Sequence, residues 1–285
     1  MRIIFKYCLV AFYMILLPYN HICANKQAVE NYSKDSIQIN KYIEEVKKIK
    51  TANIQDKKLT DKILGLLNKA SILSQNINNW QLVCKINSLY ADVYSKNNNT
   101  SIAMSYQFKN LGLLETEYKI KKDTLVEKYL ADAYLSIGYS YLFLENYQKS
   151  KNYYDRTSRF LESSLIKNYP EIYNTRMIVL YNNIAAMHTM THDYKSAAEY
   201  YKKALEVILK EDSDKPDIKN YEASVYNNLG IIAQKNDDQS AAFEYYKKAN
   251  KLWEVGKDTA NLARVYNNIG IYYIKVNKSQ TAIGF

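Results

Sequence analysis

Apolar residues recur three and four apart along most of the chain, the spacing that lines one face of a helix. Ile39, Tyr42, Ile43, Val46 and Ile49 form one such stripe, with Asp35 or Ser36 as its cap. Leu59, Ile63, Leu66, Leu67, Ala70 and Leu73 form a second. Together they predict a divergent helical hairpin over 37–79, preceded by a polar lead-in over 25–36. Beyond Trp80 the stripes become copies of one another. Tyr181-Asn182-Asn183-Ile184-Ala185 recurs as Tyr226-Asn227-Asn228-Leu229-Gly230 and as Tyr266-Asn267-Asn268-Ile269-Gly270. Glu199-Tyr200-Tyr201-Lys202-Lys203-Ala204 recurs as Glu244-Tyr245-Tyr246-Lys247-Lys248-Ala249. Weaker copies lie upstream, at Tyr134 to Gly138 with Tyr153-Tyr154, and at Tyr90-Ala91 with Ala103.

The register of these copies predicts how each unit packs. Small residues stand at Ala91, Gly138, Ala185, Gly230 and Gly270, and Tyr94, Tyr141, His188, Ala233 and Tyr273 follow three later. Twelve after the small position come Ala103, Ser150, Ala197, Ala242 and Ala282, then Tyr154, Tyr201 and Tyr246 four further on. A small residue on a first helix facing an Ala on a second lets the axes approach, while the larger neighbours interlock. Asn99, Asn146, Asp193 and Asp238 precede the second helices as N-caps, each contributing about 1 kcal/mol. The last copy shifts this by one, to Asn277. Pro170 and Pro216 fall between copies, where proline does not break a helix. Equivalent small positions are 47, 47, 45 and 40 residues apart, long enough for extended helices and for loops such as Lys210 to Lys219.

Composition narrows the class further. Seven Gly and three Pro in 285 residues are too few for the corners of a β-sandwich or for Gly-rich βα turns. With 47% apolar and 13% aromatic residues the chain has ample core material, which excludes general disorder. Met1 to Ala24 reads as an export signal: Arg2 and Lys6, then the apolar run Tyr7 to Leu17, Pro18, and a small residue at Ala24. That run is too short to span a bilayer, which takes about 20 residues. Cleavage after Ala24 would leave Cys84 as the sole cysteine, so the core cannot rely on an internal disulfide. The net charge of +10 is spread over the chain, and the Lys-rich stretch Lys41 to Lys69 also holds Glu44, Glu45, Asp56 and Asp61. It reads as solvated helix faces and not as a nucleic-acid surface.

The repeated pattern resembles the tetratricopeptide repeat (TPR), over roughly Trp80 to Phe285. The resemblance implies an all-α, right-handed superhelical solenoid of antiparallel helix hairpins, with about five repeats over 80–285 and the last one incomplete. A lone repeat would be unstable, and stacking holds such an array together. The long period is similar to that of kinesin light chains and of bacterial exported TPR sensor regions. Kinesin light chains carry a similar Asn-Asn-Leu-Ala block, whose second Asn, the resemblance implies, forms a ladder along a concave groove. Here that role falls to Asn183, Asn228 and Asn268, with Asn182, Asn227 and Asn267 beside them. Ser136 and Leu89 occupy the ladder position in earlier copies. An amide both donates and accepts, which suits gripping a peptide backbone; the same amides could instead bond between repeats. Tyr139, Ala186, Ile231 and Ile271 would add an apolar wall.

No phosphate-cradling loop, Cys-x-x-Cys pair or nucleophile elbow occurs in the sequence. His188 and His192 stand four apart without an evident third ligand, so neither a metal nor a cofactor is expected. The expectation is a non-enzymatic scaffold, exported to the periplasm or cell envelope, that binds a peptide or protein segment. The alternative is the periplasmic sensor region of a signalling receptor or transcriptional regulator whose membrane-spanning and effector parts follow residue 285. Contact with a membrane would come only through an uncleaved leader or such a further segment. Self-association through the uncapped last repeat is a further option.

Overall fold

The computed structural model describes residues 31–49, 56–77, 79–212, 215–256 and 259–275. The leader, the start of the lead-in, Asn277 and the second helix of the last repeat lie outside them. The described residues form α1 (31–49), α2 (Lys57–Ser74), α3 (Trp80–Lys96), α4 (Thr100–Ile120), α5 (Thr124–Phe143), α6 (Tyr147–Ser163), α7 (Pro170–Met190), α8 (Tyr194–Ile208), α9 (Pro216–Lys235), α10 (Gln239–Gly256) and α11 (Thr259–Lys275). A single 3-10 turn, Leu165–Asn168, joins α6 to α7. None of the described helices is long and apolar enough to cross a membrane. The chain divides into two compact units, 1–113 and 114–285.

In the first unit, Ile39, Ile43 and Val46 of α1 bury against Ile63, Leu67 and Ala70 of α2, together with Ile86, Tyr90 and Val93 of α3. One expectation is corrected here: α1 is already helical at residue 31, so Asp35 and Ser36 lie within it and do not cap it. Asp56 caps α2, its carboxylate accepting from the backbone of Lys58 and Leu59. The rings of Tyr90, Tyr94 and Tyr106 stack nearly parallel in this unit.

In the second unit three hairpins, α5/α6, α7/α8 and α9/α10, succeed one another, and each first helix also packs on the next: α5 on α7, α7 on α9, α9 on α11. The caps fall where the sequence places them: Asn146, Asp193 and Asp238 accept from the backbone N–H three residues on. The residue before each of these caps adopts positive φ, at Glu145, His192 and Asp237, as Asn98 does before Asn99 in the first unit. Each cap N–H then reaches back to a carbonyl five residues earlier at 2.8–2.9 Å, closing the first helix with a left-handed residue. Pro170 and Pro216 occupy the first turns of α7 and α9. The expected loop from Lys210 to Lys219 is accordingly shorter, since Pro216 to Lys219 are already helical.

A second correction concerns the small positions. A Cβ on Gly138 would sit 2.5 Å from the Tyr154 ring, and one on Gly230 would sit 2.5 Å from the Tyr246 ring. The close partner is thus the second-helix tyrosine, which the sequence placed four residues beyond the expected Ala. Tyr154, Tyr201 and Tyr246 are almost wholly buried, each filling the heart of its hairpin. The residues three after the small position stack on the facing helix: Tyr141 on Tyr153 and His188 on Tyr200.

Candidate functional site

The first helices of the second unit leave one face open. There a cleft of about 490 Å³ is lined by Asp132, Leu135, Ser136 and Tyr139 of α5, by Thr175, Arg176, Val179 and Asn183 of α7, and by Tyr221 of α9. Helical geometry selects this set. Asp132, Ser136 and Tyr139 are spaced i, i+4, i+7, and Arg176, Val179 and Asn183 are spaced i, i+3, i+7, so each trio shares a face. The tyrosines packed behind Gly138 and Ala185 hold the hairpins together from the other side and leave this face to other contacts.

A two-pronged ion pair crosses the cleft floor between α5 and α7. Arg176 Nε donates to Asp132 Oδ1 at 3.0 Å and Nη2 donates to Oδ2 at 2.8 Å, while Nη1 donates to the Ile172 carbonyl at 3.3 Å. Such a fork fixes both orientation and charge. The Arg176 side chain is 12% exposed and that of Asp132 is 46% exposed. Burial raises the Tyr221 hydroxyl above its ordinary value; Asp217 and Asp132 push it the same way, and Arg176 opposes them. Tyr139 stands in the open at 52% exposure.

The structure distributes the six asparagines over distinct environments. Asn183 is 8% exposed, lines the cleft, and finds no side-chain hydrogen-bond partner among the described residues. Asn182 is half-buried, with a carbonyl oxygen that is buried and unbonded. Asn227 is buried and accepts from Asn268 Nδ2 at 2.9 Å. Asn228 is half-buried near the hydroxyl of Tyr201, which burial pushes up to about 12 with Thr189 and Asn228 opposing. Asn267 is exposed. Ser136 joins Asn183 at the cleft, and Tyr139 is the member of the expected apolar wall that lines it. Asp132, Arg176 and Tyr221 were not singled out from the sequence; their signal was position, four residues before Ser136, seven before Asn183 and seven before Asn228.

The histidines have other partners. His188 Nδ1 lies 3.2 Å from Asp193 Oδ2, with its ring stacked on Tyr200, and His192 Nδ1 meets the Tyr194 hydroxyl at 2.9 Å. Among the described residues no group of three or more His, Cys, Asp or Glu is placed to hold a metal ion.

Comparison with known proteins follows the hairpins. Two family models, each described as tetratricopeptide repeat, match residues 178–210 in one case, and 131–156 and 223–252 in the other. These segments fall on α7/α8, α5/α6 and α9/α10. No curated protein matches the chain. Among solved structures, BtubC (BKLC) from P. vanneervenii is 18% identical, with 88% of this chain and 87% of that one covered at a TM-score of 0.53. NprR in complex with its cognate peptide NprX is 14% identical, covering 89% and 65% at 0.60. The Rap conjugation regulator of plasmid pLS20 in complex with the Phr* peptide is 14% identical, covering 88% and 72% at 0.60. At such identities the likeness is one of fold, and it agrees with the hairpin register, the caps and the buried tyrosines. Residues 131–156, 178–210 and 223–252 thus match the tetratricopeptide repeat, and the chain shares the helical-hairpin fold of these solved structures.

Proposed function

We propose that this chain is a binding scaffold that takes a peptide or protein segment along the first helices of its second unit. The observation that carries the reading is Asn183: a side chain 8% exposed that lines a 490 Å³ cleft with its amide open to a ligand. An amide so placed bonds a peptide N–H and C=O at once, whatever the sequence bound. Ser136, Thr175 and Tyr221 add hydroxyls, while Leu135, Val179 and Tyr139 add apolar area, the mixture usual in ligand clefts. NprR and the Rap regulator, which share the fold, were solved with bound peptides. Among the six asparagines, the proposal gives the leading part to Asn183, with Asn228 and Asn268 continuing the ladder and Asn182, Asn227 and Asn267 beside them. We assign no reaction to the chain; binding is its activity.

The test is selection of a random nonapeptide display library on the purified protein. Selected peptides should lose at least tenfold in affinity on Asn183→Ala and on Tyr139→Ala, with the helical circular dichroism and melting profile retained. Selected peptides indifferent to both variants would reject the cleft.

We also propose export, which rests on the leader sequence Met1 to Ala24. Fractionation of cells expressing the full chain tests it, since a retained leader in the cytoplasmic fraction contradicts it. The second reading, a periplasmic sensor region of a receptor or transcriptional regulator, draws on that leader and on the fold shared with the peptide-bound regulators. Reading the frame beyond codon 285 discriminates: a spanning segment favours the receptor, and a stop favours the free scaffold.

A further inference from the structure

Resting on the cleft reading above, we infer that the bound segment carries a basic side chain, and that Asp132, flanked by Tyr139 and Tyr221, is its subsite. The two members of the ion pair are unequal toward a ligand. Arg176 is 12% exposed and commits three of its nitrogens, two to Asp132 and one to the Ile172 carbonyl. Asp132 gives only one lone pair from each oxygen to that fork, and its side chain is 46% exposed. A carboxylate accepts at about four positions, so its outer edge remains free for a second cation. What the cleft offers is therefore the anion, already oriented by Arg176.

The surroundings favour the same charge. Tyr139 and Tyr221 line the cleft with Asp132, and the faces of aromatic rings attract a guanidinium or ammonium group. Tyr221 also feels the Asp217 carboxylate, so near it two carboxylates stand against one guanidinium. An acidic ligand side chain would have to pull Arg176 from Asp132 and leave that carboxylate uncompensated. A basic one needs no rearrangement. Asn183, unbonded among the described residues, then serves the backbone of the same segment.

The experiment uses the nonapeptides selected on the full chain. The inference expects Arg or Lys at one fixed position of the enriched sequences. It expects replacement of that residue by uncharged citrulline or norleucine to weaken binding at least tenfold. Asp132→Asn should weaken the parent peptide by a similar factor yet leave the citrulline or norleucine peptide unchanged. The peptide change leaves the protein intact, so a folding defect in Asp132→Asn cannot imitate the result. Enriched peptides without a basic position, still sensitive to Asn183→Ala, would overturn the subsite and leave the cleft standing. Indifference to Asn183→Ala and Tyr139→Ala would remove the cleft reading itself.

Discussion

Asn268 of α11 donates a 2.9 Å hydrogen bond from Nδ2 to Oδ1 of Asn227 on α9, joining one repeat to the next. The donor comes from the second position of the Asn-Asn pair and the acceptor from the first position of the preceding copy. Asn227 is 3% exposed, so water cannot readily replace its partner. Removing Asn268 therefore costs more than one hydrogen bond, because a buried acceptor is left unmade. Asn268→Ala should lower stability by about 1–3 kcal/mol in urea unfolding followed by circular dichroism. The exposed neighbour supplies the control, and Asn267→Ala should stay within about 0.5 kcal/mol.

Glu127 is a carboxylate at 1% exposure, and its Oε2 accepts the backbone N–H of Ile166 at 3.2 Å. Ile166 is itself fully buried, so this side chain is what satisfies the 3-10 turn between α6 and α7. Glu127→Ala should cost about 1–3 kcal/mol, and Glu127→Gln less, since the amide oxygen can still accept. Hydrogen exchange at the Ile166 amide separates the two, with fast exchange expected only in the Ala variant. Equal exchange in both would remove this role for Glu127.

The left-handed turn residues offer a gain in place of a loss. Glu145 sits at φ 57°, a conformation in which a Cβ crowds the following carbonyl. Glycine has no such contact, though it gives up more chain entropy on folding. The net expectation for Glu145→Gly is stabilisation by about 0.5–1 kcal/mol. A lower urea midpoint would contradict the turn geometry.

Much of this fold is written locally. The helical stripes, the Asn or Asp caps and the prolines act within a few residues of themselves, so they can be read before any contact is known. Glu145 and His192 show the limit: the turn demands positive φ, but neither residue is the glycine that normally announces it. The asparagines show another. A recurring Asn-Asn pair gives the same pattern whether it faces an open cleft or the next repeat: Asn183 lines the cleft, while Asn227 bonds to the following copy. Asp132 and Arg176 escaped because they do not recur: the copies equivalent to Asp132 hold Val179 and Ser224, and those equivalent to Arg176 hold Tyr129 and Tyr221. Self-comparison rewards positions that every repeat uses for packing.

Buried tyrosines tie stability to alkaline pH. Burial pushes Tyr90 and Tyr201 up to about 12, against an ordinary value near 10. The folded state therefore favours the protonated phenol. That contribution is complete below the unfolded value of about 10 and is lost as pH rises toward 12, as the unfolded chain ionises first. Each such tyrosine tilts the stability curve by roughly 1.4 kcal/mol per pH unit in this window. Tyrosinate absorbance from the buried rings should rise together with the loss of helical circular dichroism. Ionisation of the full tyrosine complement with the helices intact would contradict the burial.

Gly230 tests the hairpin interior. A methyl group there would lie 2.5 Å from Cε1 of Tyr246, so the fully buried ring would have to shift. Alanine favours a helix over glycine by about 1 kcal/mol, so the two effects oppose each other. Overpacking of a closed core costs about 1–3 kcal/mol, and the balance should be a net loss. The α7/α8 hairpin carries Ala185 with Tyr201 in the same roles, so an alanine is compatible with this architecture once the ring has its own seat. A double-mutant cycle separates the ring from the backbone. Tyr246→Leu alone opens a cavity and should cost about 2–4 kcal/mol. With the ring gone, Gly230→Ala should turn neutral or stabilising, so the double variant is more stable than the sum of the singles predicts. Additive losses would mean that Gly230 is held small by something other than Tyr246.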